Sequence, residues 1–222
     1  MSTRTTLIVS IALIAIAALL SLAVFNRLPD PMASHWGFND QVNGTVSRFW
    51  GAFLMPIISL AMLGLFILLP GIDPLKANIA KFREVFNAFI AVIIAFLLYI
   101  HVLTIVWNLG FQGFRMSTAV IPGIGLLFVF AGLLMRRAKR NFFIGIRTPW
   151  TLSNDEVWDR THRLGGTLFK IAAVVIMLLT LVPAVAVYAL LVLILGVAVW
   201  LTIYSYLIYR KLGLPDEIKD KK

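Results

Sequence analysis

The chain has 222 residues, of which 60% are hydrophobic and only 14% charged, with a mean hydropathy of +0.93. Soluble domains carry roughly half apolar and a quarter charged residues, so this composition excludes a water-soluble globular protein and makes hydrocarbon the solvent. Cysteine is absent, which excludes disulfides, thiolate metal sites and cysteine nucleophiles, and the net charge of +10 becomes a question of where charges sit relative to a bilayer.

A helix needs about 20 apolar residues to cross a bilayer core, and in lipid it satisfies its own backbone hydrogen bonds. Six stretches qualify: residues 6–25, 49–69, 85–107, 118–135, 167–182 and 185–209. The first is too long for a signal-peptide core of roughly 7–15 residues, and no small-x-small cleavage pattern precedes Asn26 and Arg27. It reads as a span. The expected fold is an all-α integral membrane protein, a bundle of six transmembrane helices. Residues 1–70 form an N-terminal two-helix unit and 71–222 a four-helix region.

Between the first two spans lies NRLPDPMASHWGFNDQVNGTVS, residues 26–47. Pro29 and Pro31 favour extended backbone, and Asn43-Gly44 signals a tight turn, so a short β-hairpin or structured cap is expected. His35 beside Trp36 invites two readings. Anchoring at the headgroup level is the simpler one. The sharper one is a ligand-contact or metal site built from His35, Asp40 and His101. One His and one Asp make no metal motif, so no metal is expected.

Within the spans, Pro56 and Pro122 are potential kinks, while Ala17, Ser21, Gly123, Gly125 and Gly132 permit close helix approach. Nine of the ten acidic residues lie outside the spans. The tenth, Glu84, sits at a span mouth as a solvated helix-start carboxylate. His101 stands roughly 10 Å inside the third span and reads as a neutral histidine bonded to a neighbouring helix. This leaves little for ion-coupled transport, although a small-molecule or ion transporter or channel is the alternative to be weighed. No H-E-x-x-H, G-x-S-x-G or intramembrane carboxylate pair occurs, so no enzyme and no cofactor are expected.

The loop from Arg136 to Gly166 reads RRAKRNFFIGIRTPWTLSNDEVWDRTHRLGG. Ser153-x-x-Glu156 fits a capping box, which predicts a short interfacial helix leading into the fifth span. Val157, Thr161 and Leu164 share one face of it. Gly165-Gly166 allows a bend or a close approach, and Trp150 and Trp158 serve as interface anchors. Asn141, Gly145, Arg147, Thr148, Pro149 and Trp150 precede it as an irregular strip. Asp155, Glu156 and Asp159 can neutralise neighbouring arginines in an internal salt-bridge network. A tight turn at Pro183 joins the last two spans.

Seventeen of the 20 basic residues fall on one set of span ends, leaving Arg27, Arg48 and Arg115 on the other. By the positive-inside rule, the N-terminus, the 70–84 and 136–166 loops and the C-terminus face the cytoplasm. The positive charge then belongs to an anionic leaflet, and direct nucleic-acid binding is not expected.

The pattern N-x-x-x-G-x-R-T-P-W-T-L-S-N-D-x-V-W-x-x-T-H-R-L-G-G, from Asn141 to Gly166, resembles the hallmark of the SdpI family of bacterial membrane proteins. The P-x-x-x-H-W strip at Pro31 to Trp36, followed by Asn43-Gly44, resembles the domain of unknown function often found N-terminal to it. The resemblance implies a bacterial plasma-membrane protein giving immunity to a secreted peptide toxin and binding a cytoplasmic transcriptional repressor. It implies an outward ligand face at His35, Trp36, Asp40 and His101. It also implies an inward partner face at Asn141, Gly145, Arg147, Thr148, Pro149, Trp150, Asn154, Asp155, Trp158, His162 and Arg163.

Overall fold

The computed structural model describes residues 1–37 and 39–213. The elements run α1 (Thr3–Val24), a 3-10 turn (Phe25–Arg27), β1 (Met32–Trp36), β2 (Val42–Val46), α2 (Arg48–Ile72) and α3 (Lys76–Ala80). They continue with α4 (Arg83–Asn108), α5 (Met116–Arg137), α6 (Pro149–Ser153), α7 (Asp155–Leu179) and α8 (Pro183–Lys211). Six of these helices are long and apolar enough to cross a membrane, and the protein is an all-α, multi-pass membrane protein.

The long helices pack as two trios. Helices α1, α2 and α4 contact one another, as do α5, α7 and α8, and the α4–α5 contact joins the trios. Helix α4 is the centre of the first core: Phe86, Ile90 and Ile94 are buried with Leu63 of α2 and Leu134 of α5. Ile121, Ile176 and Leu190 form the core of the second trio. Large apolar side chains such as Leu19, Leu68, Leu181 and Val192 stay exposed on the outside of the bundle. In water that would be a liability; against acyl chains it is the expected surface of a spanning helix.

Small residues set the closest helix approach. A Cβ on Gly132 of α5 would stand 2.9 Å from the Gly166 carbonyl, and one on Gly166 of α7 would stand 2.7 Å from the Gly132 carbonyl. The two backbones therefore touch, the usual solution where lipid removes the hydrophobic drive between helices. Ala17 and Ser21 are buried on α1 in the same way. Pro56, Pro70 and Pro122 lie inside helices that continue past them, so α2 extends to Ile72 rather than stopping at Leu69.

Several local expectations change. The hairpin exists, with β1 and β2 antiparallel, but Asn43-Gly44 lies within β2 and does not form the turn. Gly44 is opposite His35, where a Cβ would come within 3.0 Å of the His35 Cβ, so glycine here serves a close strand approach. Chain reversal falls instead at Gly37–Gln41, closed by the Gly37 N–H donating to the Gln41 carbonyl, with Asp40 left-handed at φ 61°.

At the other end, α7 is one continuous helix from Asp155, so the expected interfacial helix is the first turns of the fifth span itself. Its N-cap is Asn154, whose Oδ1 accepts from Glu156 and Val157 N–H groups. Ser153 bonds to the Trp150 carbonyl instead. The capping box is made one element earlier, between Thr148 and Thr151 at the start of α6. Gly165 and Gly166 supply close approach, not a bend. The expected basic C-terminal residues Lys219, Lys221 and Lys222 lie outside the described residues.

Candidate functional site

The chain's charge-bearing loops gather at two opposite ends of the bundle. The basic end is formed by the 73–82 and 138–154 loops and the first turns of α7. Asn141, fully buried, organises the second loop from within. Its Oδ1 accepts from the Phe143 (2.9 Å) and Ile144 (2.6 Å) N–H groups, and its Nδ2 donates to the Lys139 (2.8 Å) and Ile144 (3.0 Å) carbonyls. Four loop backbone groups, buried or part-buried, are thus satisfied by one side chain.

His162 holds the loop onto α7. The Ile146 N–H donates to its Nε2 at 2.9 Å, and its Nδ1 lies 2.9 Å from the Trp158 carbonyl. A carbonyl can only accept, so Nδ1 carries the proton and Nε2 offers its lone pair. The ring stacks on Trp158 with centroids 3.9 Å apart and planes 15° apart. Trp158 is itself fully buried and donates its indole N–H to the Ala138 carbonyl at 2.9 Å. The expectation of an interface anchor therefore fails for Trp158: at i and i+4 on the buried face of α7, Trp158 and His162 are the floor on which the loop rests. Trp150 fits the expectation better, half-buried with its ring 5.1 Å from that of Tyr206. Gly145 crosses directly over His162 at φ +107°, where a Cβ would overlap Nε2.

The remaining hallmark residues fasten the loop's far end. The Thr148 N–H donates to Thr151 Oγ1 at 2.9 Å, the Thr151 N–H donates to Thr148 Oγ1 at 3.2 Å, and Thr148 Oγ1 lies 3.0 Å from Ser205 Oγ on α8. Pro149 occupies the first turn of α6, where a missing N–H costs nothing. Arg147 is exposed and donates to the Phe142 carbonyl at 2.9 Å. Arg163 points to the exposed side of α7.

In place of the expected salt-bridge network, three separate ion pairs stand on the surface among the described residues. Lys139 pairs with Asp159 at 3.0 Å, Arg160 with Glu156 one turn away, and Arg140 with Asp155 at 2.7 Å, the last without an aligned hydrogen bond from Nε. Each such pair contributes about 0.2–1 kcal/mol when exposed. All three acidic residues of the hallmark are thereby used. Arg136, Arg137, Arg147 and Arg163 form no ion pair among the described residues, so this end presents a net positive face.

Sequence reading passed over Asp73. It is 2% exposed, and its two carboxylate oxygens accept from the Leu75 (2.7 Å) and Phe142 (2.9 Å) N–H groups. With Asn78 Nδ2 donating to the Arg140 carbonyl at 2.9 Å, it ties the 73–82 loop to the hallmark loop. The available signal was Asp73-Pro74 directly after an apolar run, an Asx-turn pattern.

At the hairpin end the expected ligand residues do not converge. His35 is exposed and bonds across the hairpin to Asn43. Trp36 packs edge-on against Trp107 of α4, centroids 5.3 Å apart. Asp40 caps α5, accepting from the Ser117 N–H at 2.8 Å and the Ser117 hydroxyl at 2.7 Å. His101 lies inside the first trio: its Nε2 is 2.9 Å from Ser21 Oγ, which donates to the Ala52 carbonyl, so three helices meet at one hydroxyl. Asn108, also missed from sequence, pairs with both the N–H and the carbonyl of Ala33 and so fixes the hairpin on α4. Among the described residues no three His, Asp or Glu side chains cluster as metal ligands do.

Residues 137–205, which contain the hallmark loop, α6, α7 and most of α8, match the SdpI/YfhL protein family. Residues 12–60, which contain most of α1, the hairpin and the first half of α2, match a domain of unknown function, DUF1648. The chain is 28% identical over 208 residues to the immunity protein SdpI of Bacillus subtilis (strain 168), covering 93% of this chain and 97% of that one. The chain is therefore similar to the SdpI/YfhL family over residues 137–205 and to one immunity protein along nearly its whole length. No solved structure matches it. The matched stretch ends at Ser205, the α8 hydroxyl that meets Thr148, so it includes the loop together with the helices on which it is fastened.

Proposed function

We propose that this protein protects its host membrane against a secreted peptide toxin, and that its basic end binds a cytoplasmic transcriptional repressor. The observation that carries this reading is the similarity to an immunity protein along nearly the whole length of both chains. The arrangement of the ends supports it. The hairpin is held rigidly by Asn108, Asp40 and Trp36 rather than left as a loose linker, as a surface that meets an extracellular peptide requires. The opposite end offers four arginines without ion-pair partners among the described residues, on and beside a loop braced from beneath, which suits an acidic protein surface. In this reading the basic end faces the cytoplasm and the hairpin faces outward, and both chain ends are cytoplasmic.

The test is expression in a toxin-sensitive strain. Survival of cells carrying the chain, and recruitment of a repressor to the membrane only when toxin is present, are the expected results. Arg163→Ala, which removes an exposed charge without touching the loop's braces, should leave survival intact and weaken recruitment. Cells killed as readily as those with an empty vector, despite normal membrane levels of the protein, would overturn the proposal. Sustained gradient-driven flux in proteoliposomes would replace it with transport.

A further inference from the structure

At the basic end, two neighbouring features have no role in the reading above. The first is an apolar crevice of about 250 Å³ lined by Phe66, Leu69, Phe86, Phe89, Leu134 and Phe143. It lies where α2 and α5 flank α4, under the roof of the hallmark loop. The second is an open recess of about 660 Å³ lined by Pro70, Lys76, Ala77, Ile79, Ala80 and Arg83.

The two are neighbours. Leu69 of the crevice is followed by Pro70 of the recess. Arg83 lies one turn before Phe86, with its guanidinium 5.8 Å from the centre of the Phe86 ring. Both cations stand where hydrocarbon ends, Lys76 just beyond the span that finishes at Ile72 and Arg83 at the start of the next.

Neither Lys76 nor Arg83 forms an ion pair among the described residues. Asp73, the nearest carboxylate along the loop, is buried with both oxygens engaged by backbone N–H groups. Glu84, next to Arg83, is exposed. The recess therefore offers two uncompensated positive charges beside an apolar slot.

We propose that this is a binding site for one anionic phospholipid, its phosphate held between Lys76 and Arg83 and part of an acyl chain lying in the crevice. Charge complementarity selects the occupant. A basic recess between spanning helices at headgroup depth is the ordinary form of an anionic-lipid site. The slot is lined almost wholly by apolar side chains, which suit an acyl chain. The bound lipid would fill the gap between the trios beneath the hallmark loop.

Native mass spectrometry of the purified full-length chain, with phosphatidylglycerol or phosphatidylcholine added to the micelles, tests this. One phosphatidylglycerol should be retained roughly tenfold more strongly than phosphatidylcholine, and K76Q/R83Q should lose at least roughly that preference. Should the double variant aggregate, two other measurements decide. Ala131 of α5 also lines the crevice, so Ala131→Phe, which fills it, should weaken retention several-fold, and raising salt to about 0.5 M should weaken it in the wild type. Equal retention of both lipids, or a preference untouched by charge removal, by plugging or by salt, overturns the site. Retention of an uncharged apolar peptide in place of the lipid would overturn it too.

Discussion

Gly145 and His162 are the pair through which the hallmark loop is pinned, and both halves of the constraint are testable. An alanine at Gly145 must adopt φ +107° and place its Cβ on the His162 ring. Left-handed backbone alone costs roughly 1–2 kcal/mol, and overlap in a packed site adds roughly 1–3 kcal/mol. Gly110 separates these effects, since it has φ +98° but open space around it, and Gly113 has neither strain nor neighbours within 4 Å. The melting temperature in detergent should therefore fall most for Gly145→Ala, less for Gly110→Ala and hardly at all for Gly113→Ala. Equal losses at 145 and 110 would mean that the His162 contact adds nothing. Asn141 gives the second residue-level prediction. Asn141→Asp keeps the acceptor for Phe143 and Ile144 but turns a carboxylate toward the Lys139 and Ile144 carbonyls. Losing two buried donors and adding charge repulsion should cost roughly 2–4 kcal/mol of loop stability. Limited trypsin digestion reads this directly, because Lys139 and Arg147 flank the strip: cleavage there should accelerate while the spans stay intact.

At the level of elements, the α5–α7 seam depends on backbone contact at Gly132 and Gly166. Gly132→Ala puts a methyl group 2.9 Å from a carbonyl that cannot move without shifting a helix, and should destabilise the bundle by roughly 1–3 kcal/mol. Gly196→Ala on α8 meets nothing within 4 Å and should change stability by no more than about 0.5 kcal/mol. Denaturant titration of the two variants in the same detergent distinguishes a seam from a general intolerance of side chains. The spans, the small residues at this seam and the presence of a hairpin were all legible from sequence, because length, hydropathy and residue size act locally. What sequence hid depends on partners distant in the chain. Asn43-Gly44 carries the composition of a turn, yet Gly44 is needed opposite His35, so the reversal moves to 37–41. Ser153-x-x-Glu156 has the spacing of a capping box, yet Ser153 is occupied by the Trp150 carbonyl and Asn154 takes the cap. The hallmark residues were identifiable as a group, but their use was not: Trp158 and His162 turn out to be buried supports, and the bonds from Asp73, Asn78 and Ser205 arrive from 57 or more residues away along the chain.

For the whole molecule, the fold converts a one-dimensional charge pattern into a polarity along the bundle axis. Six spans return the end of α8 to the same side as the start of α1. The described basic residues then divide between an end with Lys76, Lys81 and the arginines of 136–163 and an end with Arg27, Arg48 and Arg115. Every cation on the rich end that crossed the membrane would have to be carried through hydrocarbon, at roughly 2.5–3.5 kcal/mol each on insertion scales, which is the physical ground for proposing that the rich end stays on the side of synthesis. The hairpin end carries the rigid strand pair and exposed aromatic groups such as Phe49, Trp50 and Phe111, suited to the opposite headgroup layer. The absence of cysteine makes the polarity measurable with single introduced thiols. Lys81→Cys and Gln112→Cys both replace exposed side chains, one at each end, so neither should disturb packing. A membrane-impermeant maleimide applied to intact cells should label Gln112→Cys at once and reach Lys81→Cys only after permeabilisation. The reverse pattern would turn the molecule over, moving the hairpin to the repressor's side and the arginine-rich loop to the toxin's. Labelling of both thiols in intact cells would mean that the chain inserts in two orientations and that neither end has a fixed partner.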